Sequence, residues 1–185
     1  MRLRFLTAAA LALPMALAAQ TTNNVTASFK ASSARYGGWL AAAFDSIPAS
    51  KYSYKPTPVQ QTIGYVAQHL EAANYGLCGG FGAVKRTPTA KDSLADTIKA
   101  MWPKDTLVAR LKASLAFCDN ALASVDDARL GEELPTGPPG SGRTVPRARF
   151  MIGYVTDLAE HYAQIASYMR IIGLVPPSAL PRPGR

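Results

Sequence analysis

The chain contains two histidines, His69 and His161, and each falls in a stretch with helical periodicity. Asp157 stands four residues before His161, one turn away on an α-helix. An aspartate and a histidine at that spacing put two donors on one side of a helix. A divalent transition metal needs several convergent N and O donors of this kind. His69, arriving from another helix, would complete a face of two imidazoles and a carboxylate, with positions left for water or substrate. The competing reading is plainer. Residues at i,i+4 also pair with each other, and a histidine at a helix edge is commonly a hydrogen-bonded packing residue. The spacing leaves both readings open.

Helical faces narrow the candidates. With a turn of about 100° per residue, His69 lies about 80° from the apolar seam of its helix. His161 lies about 70° and Asp157 about 110° from theirs, which makes Asp157 the marginal member. Both histidines occupy the same-handed flank, where a packed helix meets its neighbour. Tyr65 and Tyr154 share those flanks as possible outer-sphere groups that orient substrate. Glu71 and Glu160 fall on the far sides and are expected to be solvated.

Four long helical segments must position these residues. The first spans about Thr26 to Ala43, with Phe29, Tyr36, Leu40 and Phe44 on its apolar side. The second has Thr57 as N-cap, Pro58 at its first position and Gln60 closing a capping box. Its seam is Val59, Ile63, Val66, Leu70, Ala73 and Leu77, and Gly76 with "CGGFG" from Cys78 is read as its end. After a connection of about 25 residues, with a short helical piece at Ser93 to Met101, Asp105 caps the third helix. Leu111, Leu115, Cys118, Leu122 and Val125 are its inner positions. The turn-rich "PTGPPGSGRTVP" follows, and the fourth helix runs from near Pro146 to Ile172. Its seam is Met151, Val155, Leu158, Tyr162, Ile165, Met169 and Ile172, and Gly173 suits its C′ position. Four amphipathic helices without period-two alternation predict an all-α four-helix bundle. The long connection between helices two and three lets those two run parallel, giving up-down-down-up topology.

Residues 1–19 read as a signal peptide: Arg2 and Arg4, an apolar run from Phe5 to Ala16, then Ala16-Leu17-Ala18. The mature chain, residues 20–185, is one domain, expected to be periplasmic or secreted with no stable membrane insertion. Its positive charge, a formal +8 for the whole chain, is scattered over predicted connections: Lys85, Arg86, Lys91, Arg143, Arg147, Arg149, Arg182 and Arg185. No helix carries a basic stripe interleaved with aromatics, so no nucleic acid is expected as a partner. Cys78 and Cys118, in an oxidising compartment, favour a bridge over a catalytic thiol.

The segments "KYSYKPTPVQQTIGYVAQHLEAAN", "LKASLAFCDNAL" and "EHYAQIASYMRIIGLVPPSA", in that order, resemble the DinB-like superfamily, in its exported bacterial branch. The resemblance implies the up-down-down-up bundle and a metal triad with one histidine in the second helix and a His-x-x-x-His pair in the fourth. His69 matches the first position and His161 the last; Asp157 stands where the pattern has histidine. The implied cofactor is a divalent transition metal, Zn, Ni, Mn or Fe, held by His69, Asp157 and His161. Parallel second and third helices then bring Cys78 and Cys118 to similar levels, predicting a disulfide between them. Relatives include thiol-dependent isomerases and S-transferases, but low-molecular-weight thiols belong to the cytosol and this chain reads as exported. The expectation is a metal-dependent hydrolase or transferase acting on an unknown small-molecule substrate, compatible with a homodimer. The alternative is a non-catalytic exported bundle with a degenerate site. No catalytic residue can be assigned from sequence.

Overall fold

A computed structural model of the chain describes residues 23–181. The expected signal peptide lies outside the described residues. The fold is mostly helical, with four long helices: α1 (Asn24–Ser46), α2 (Ile63–Phe81), α4 (Lys104–Ala123) and α5 (Arg147–Ile171). A single-turn helix, α3 (Asp96–Lys99), lies in the long connection, and two short strands, β1 (Glu133–Pro135) and β2 (Thr144–Pro146), precede α5. Among the described residues, no helix is long and apolar enough to cross a membrane.

The apolar seams meet in one core: Leu40 and Phe44 from α1, Val66 and Leu70 from α2, Leu111 and Leu122 from α4, Leu158 and Ile165 from α5. The hydrogen bonds and close approaches between helices give the pairing. Between α2 and α4 the partners rise together: Glu71 with Arg110, Asn74 with Ser114, Cys78 with Cys118. Between α1 and α5 they also rise together, Ser33 with Tyr154 and Trp39 with Tyr162. Between α2 and α5 they run in opposition, from Gln61 with Tyr168 to Leu77 beside Gly153.

The start of α2 departs from expectation. Thr57 and Gln60 form a local turn (Thr57 Oγ1 donates to Gln60 Oε1, 3.1 Å), and Val59 is 94% exposed. The helix begins at Ile63, with Thr62 as N-cap accepting from the Tyr65 amide at 3.1 Å. The amides of Ile63 and Gly64 donate to the carbonyls of Tyr54 and Tyr52, at 3.1 and 2.8 Å. Tertiary acceptors thus take up first-turn donors that a helix would otherwise leave orphaned. The far end departs too. Gly79 and Gly80 continue the helix, and Gly82 caps it where a Cβ would stand 2.5 Å from the Ala121 methyl. Of the "CGGFG" glycines, Gly80 and Gly82 serve close packing, against Phe150 and Ala121, and the helix terminates only at the last.

Glu71 is buried, contrary to the solvated position expected from the helix face. The connection after α2 folds back over that face. Arg110 donates to Glu71 and to Asp92, and Arg86 binds Asp92 at 2.6 Å while stacking on Tyr75. Burial works against the charge on Asp92, yet contacts from Arg86, Thr89 and Arg110 hold its carboxyl well below the usual carboxylate range. Arg147 is likewise buried, donating to Glu132 and to the Phe81 carbonyl. Some of the scattered positive charge is therefore internal structure. The β1–β2 hairpin was not expected either. Three-residue strands are too short to register an alternation, and the same Pro/Gly run that stops helices supplies its turn, with positive φ at Gly137, Gly140 and Gly142.

The Cys78–Cys118 disulfide closes a separation of 40 residues. Replacing both cysteines by serine is expected to lower unfolding free energy by about 4 kcal/mol in the chain-entropy picture, measurable by urea denaturation. Thiol titration of the unreduced, denatured protein should find none. Gly64→Ala is expected to destabilise the fold by about 1–3 kcal/mol, because the added methyl would lie 2.3 Å from the Ala100 carbonyl oxygen.

Candidate metal centre

The antiparallel pairing of α2 and α5 brings His69 opposite the turn that carries Asp157 and His161. Asp157 Oδ1 lies 3.6 Å from His69 Nε2 and 3.5 Å from His161 Nε2. The imidazoles meet edge to face, centroids 4.8 Å apart. One ligand atom from each of the three residues lies within 4.8 Å of the others. Separations of 3.5–3.6 Å are long for direct hydrogen bonds. They are close to the roughly 3.4 Å between two ligands of a tetrahedral ion with bonds near 2.1 Å.

One atom tests the fit directly. Asp157 Oδ2 is buried without a hydrogen-bond partner. A bare carboxylate oxygen withdrawn from water is costly unless a cation or donor satisfies it. Two imidazole nitrogens and a carboxylate form a donor set that suits Zn, Ni, Mn or Fe, so the residues present fit a divalent ion.

Electrostatics agree with the geometry. Burial raises the Asp157 pKa, but contacts to His161 and then His69 outweigh it and hold the group at about 2. The Asp157 carboxylate raises the pKa of His161 above its ordinary value, against the effect of burial and with help from Gln164.

A relay on α5 decides which nitrogen of His161 faces Asp157. The Tyr168 hydroxyl donates to the Gln61 carbonyl at 3.2 Å, and a carbonyl can only accept. Tyr168 Oη therefore accepts from Gln164 Nε2 at 3.0 Å. Gln164 Oε1 is left facing His161 Nδ1 at 3.0 Å, so in the neutral ring Nδ1 carries the proton and Nε2 the lone pair. This relay escaped the sequence reading, although His161, Gln164 and Tyr168 stand at helical spacings of three and four and could have been found on one face.

The other candidates are dispersed. A cavity of about 800 Å³ lies over the cluster, bordered by His69, Asp157, His161, Gln164 and Tyr168, with exposed Glu160 also lining it. Tyr154 does not join this group. It is fully buried and accepts from Ser33 Oγ on α1 at 3.2 Å, its pKa pushed up to about 12 by burial. Tyr65 lines a different cavity, one turn of α2 from His69.

The family model of the DinB superfamily matches residues 39–165, a span holding all three candidate ligands. In fold, the chain is similar to a DinB-like protein from Bacillus cereus, with a TM-score of 0.62 and 21% identity over 80% of this chain and 93% of that one. A mycothiol-dependent maleylpyruvate isomerase is similar at TM-score 0.56 and 13% identity, covering 76% of this chain and 59% of the isomerase. A conserved protein from Enterococcus faecalis gives TM-score 0.56 and 15% identity, over 79% and 95%. No curated protein matches the chain in sequence. The chain belongs to the DinB superfamily.

The two shifted groups define a pH window for the metal-free protein. Asp157, lowered from 3.8 to about 2, stabilises the fold above pH 3.8 and loses that contribution as pH falls through about 2. His161, raised above 6.5, contributes below that pH and loses its contribution as pH rises through its folded value. After chelation, the difference in Tm between the wild type and Asp157→Asn should be widest between pH 3.8 and 6.5, narrowing on both sides. A difference independent of pH would overturn this assignment.

Proposed function

We propose that the protein is an exported metal-dependent enzyme, of hydrolase or transferase type, with a divalent ion at His69, Asp157 and His161. The observation that carries the reading is the three-residue donor cluster together with the unpartnered, buried Asp157 Oδ2. The order of contacts among the long helices supports the up-down-down-up course, in which helices carrying these donors run past each other. The Cys78–Cys118 bridge supports an oxidising compartment, periplasmic or secreted.

A bound divalent ion would supply Lewis acidity and lower the pKa of a coordinated water or thiol. The chain's own residues do the rest. Gln164 and Tyr168 keep the proton on His161 Nδ1 and its Nε2 lone pair turned inward. Asp157 contributes the negative charge that offsets a divalent ion. Glu160 stays exposed at the cavity edge, as its helix face predicts. The maleylpyruvate isomerase neighbour is named for its mycothiol dependence, and a thiol is one ligand such a centre would accept. A cavity of this volume is in the range that takes a small-molecule substrate.

Protein purified without an affinity tag and dialysed against zinc should retain about one ion per chain. His69→Ala should weaken retention by at least about tenfold, and Gln164→Ala by about 10–100-fold through loss of the relay. Bound zinc should also raise Tm, by linkage worth about 2.7 kcal/mol at a hundredfold excess over Kd. Substoichiometric zinc, indifferent to His69→Ala, would sink the proposal.

A further inference from the structure

A second cavity, of about 820 Å³, adjoins the first, and the two share Gln60 and Gln61 on the segment leading into α2. On α2 itself, Tyr65 lines the second cavity and His69 the first. These residues are four apart, so they lie on one side of the helix about 6 Å apart along its axis. The walls are largely apolar: the rings of Tyr52, Tyr65 and Trp102, with Met101 and Pro103. The Tyr52 hydroxyl is already donated to the Phe44 carbonyl at 2.8 Å, leaving its ring as the contact surface. Of the charged residues in the lining, Asp105 is exposed and Lys104 donates to the Asp45 carbonyl at 2.6 Å. The polar side chains Ser50, Ser53, Gln60, Gln61, Thr97 and Asp105 are exposed to water, and most of the lined surface is apolar, so an apolar body fits there with the least loss of hydration.

We propose that this cavity takes the apolar body of the substrate whose ligating head sits at His69, Asp157 and His161. The substrate class is an amphiphile with one metal-ligating head and an alkyl or aryl body. The volume falls in the range of small-molecule sites. This inference rests on the metal reading above, and its test separates the two.

Zinc-loaded protein in a Trp39→Phe background, where Trp102 is the remaining one of the two tryptophans, is titrated with acetohydroxamate and with octanohydroxamate. Calorimetry gives affinity, and Trp102 emission reports entry. The longer probe should bind at least about tenfold tighter and shift the emission, since it adds buried methylenes to the same head. Thr97→Trp, which fills the cavity from its exposed edge on α3, should remove that gain and leave acetohydroxamate affinity unchanged. Met101→Glu, which adds a charge to the wall at a 77% exposed position, should reduce the gain and serves if the tryptophan variant fails to fold. Equal affinities for the two probes, or an undiminished gain in both variants, would overturn the cavity assignment. If acetohydroxamate still depends on His69 in that case, the metal reading stands alone. A chain-length gain with acetohydroxamate indifferent to His69→Ala would instead break the link between cavity and metal group.

Discussion

At Gly64 the first turn of α2 presses against the backbone carbonyl of Ala100, leaving no room for a side chain. The amides of Ile63 and Gly64 are tied at the same level to the carbonyls of Tyr54 and Tyr52. Together these contacts clamp the N-terminal end of α2 between the segments before and after it, and so fix its register. The other named features follow from that register. The next residue, Tyr65, lines the apolar cavity. One turn beyond it His69 meets Asp157, and further along Asn74 reaches Ser114 and Cys78 reaches Cys118. The disulfide secures the opposite end of the same helix, so α2 is held at both ends and cannot slide past α4 or α5.

Within that frame, the polar groups between α2 and its neighbours use two different solutions to burial. Glu71 and Asp92 are matched by Arg86 and Arg110, a compensated network that stitches the connection to the helices. The Asp157 group is less complete. Two histidines flank one carboxylate oxygen, while the other oxygen is buried and has no partner. A closed network is what structural burial requires. A carboxylate left with an open coordination position, beside two imidazoles and under a cavity, is what a ligand site requires. Gln68 and Asn74 on α2 also carry buried atoms without partners, so it is the two imidazoles beside Asp157 and the cavity over it that favour a ligand role over a packing role.

The seams were legible because burial on a helix repeats every three to four residues. Leu40, Val66, Leu70, Leu111, Leu158 and Ile165 all lie in the core as their spacing predicts. The flank positions of His69 and His161 were legible for the same reason. The start of α2 was not, because Thr57-Pro58 and Thr62 are both acceptable caps, and remote carbonyls chose between them. Glu71 was placed wrongly because a helical wheel sees one helix at a time and not the connection that folds over its polar side. Tyr154 shares the flank of α5 in projection, yet the nearer partner for its hydroxyl is Ser33 on α1.

The sequence by itself determined the helices, their buried sides, the scarcity of histidine and the pair at Asp157 and His161, since these depend on local periodicity and residue chemistry. Only tertiary structure decided that His69 meets that pair, that Asp157 keeps one oxygen unpartnered, and that Tyr168 and Gln61 orient His161 through Gln164. It also decided that an apolar cavity lies beside the cluster. The meeting of His69 with the pair and of Tyr168 with Gln61 depends on contacts about 90 to 110 positions apart, and the cavity on contacts between the segments before α2 and before α4. Such distances follow from helix register and close packing, which no local pattern encodes.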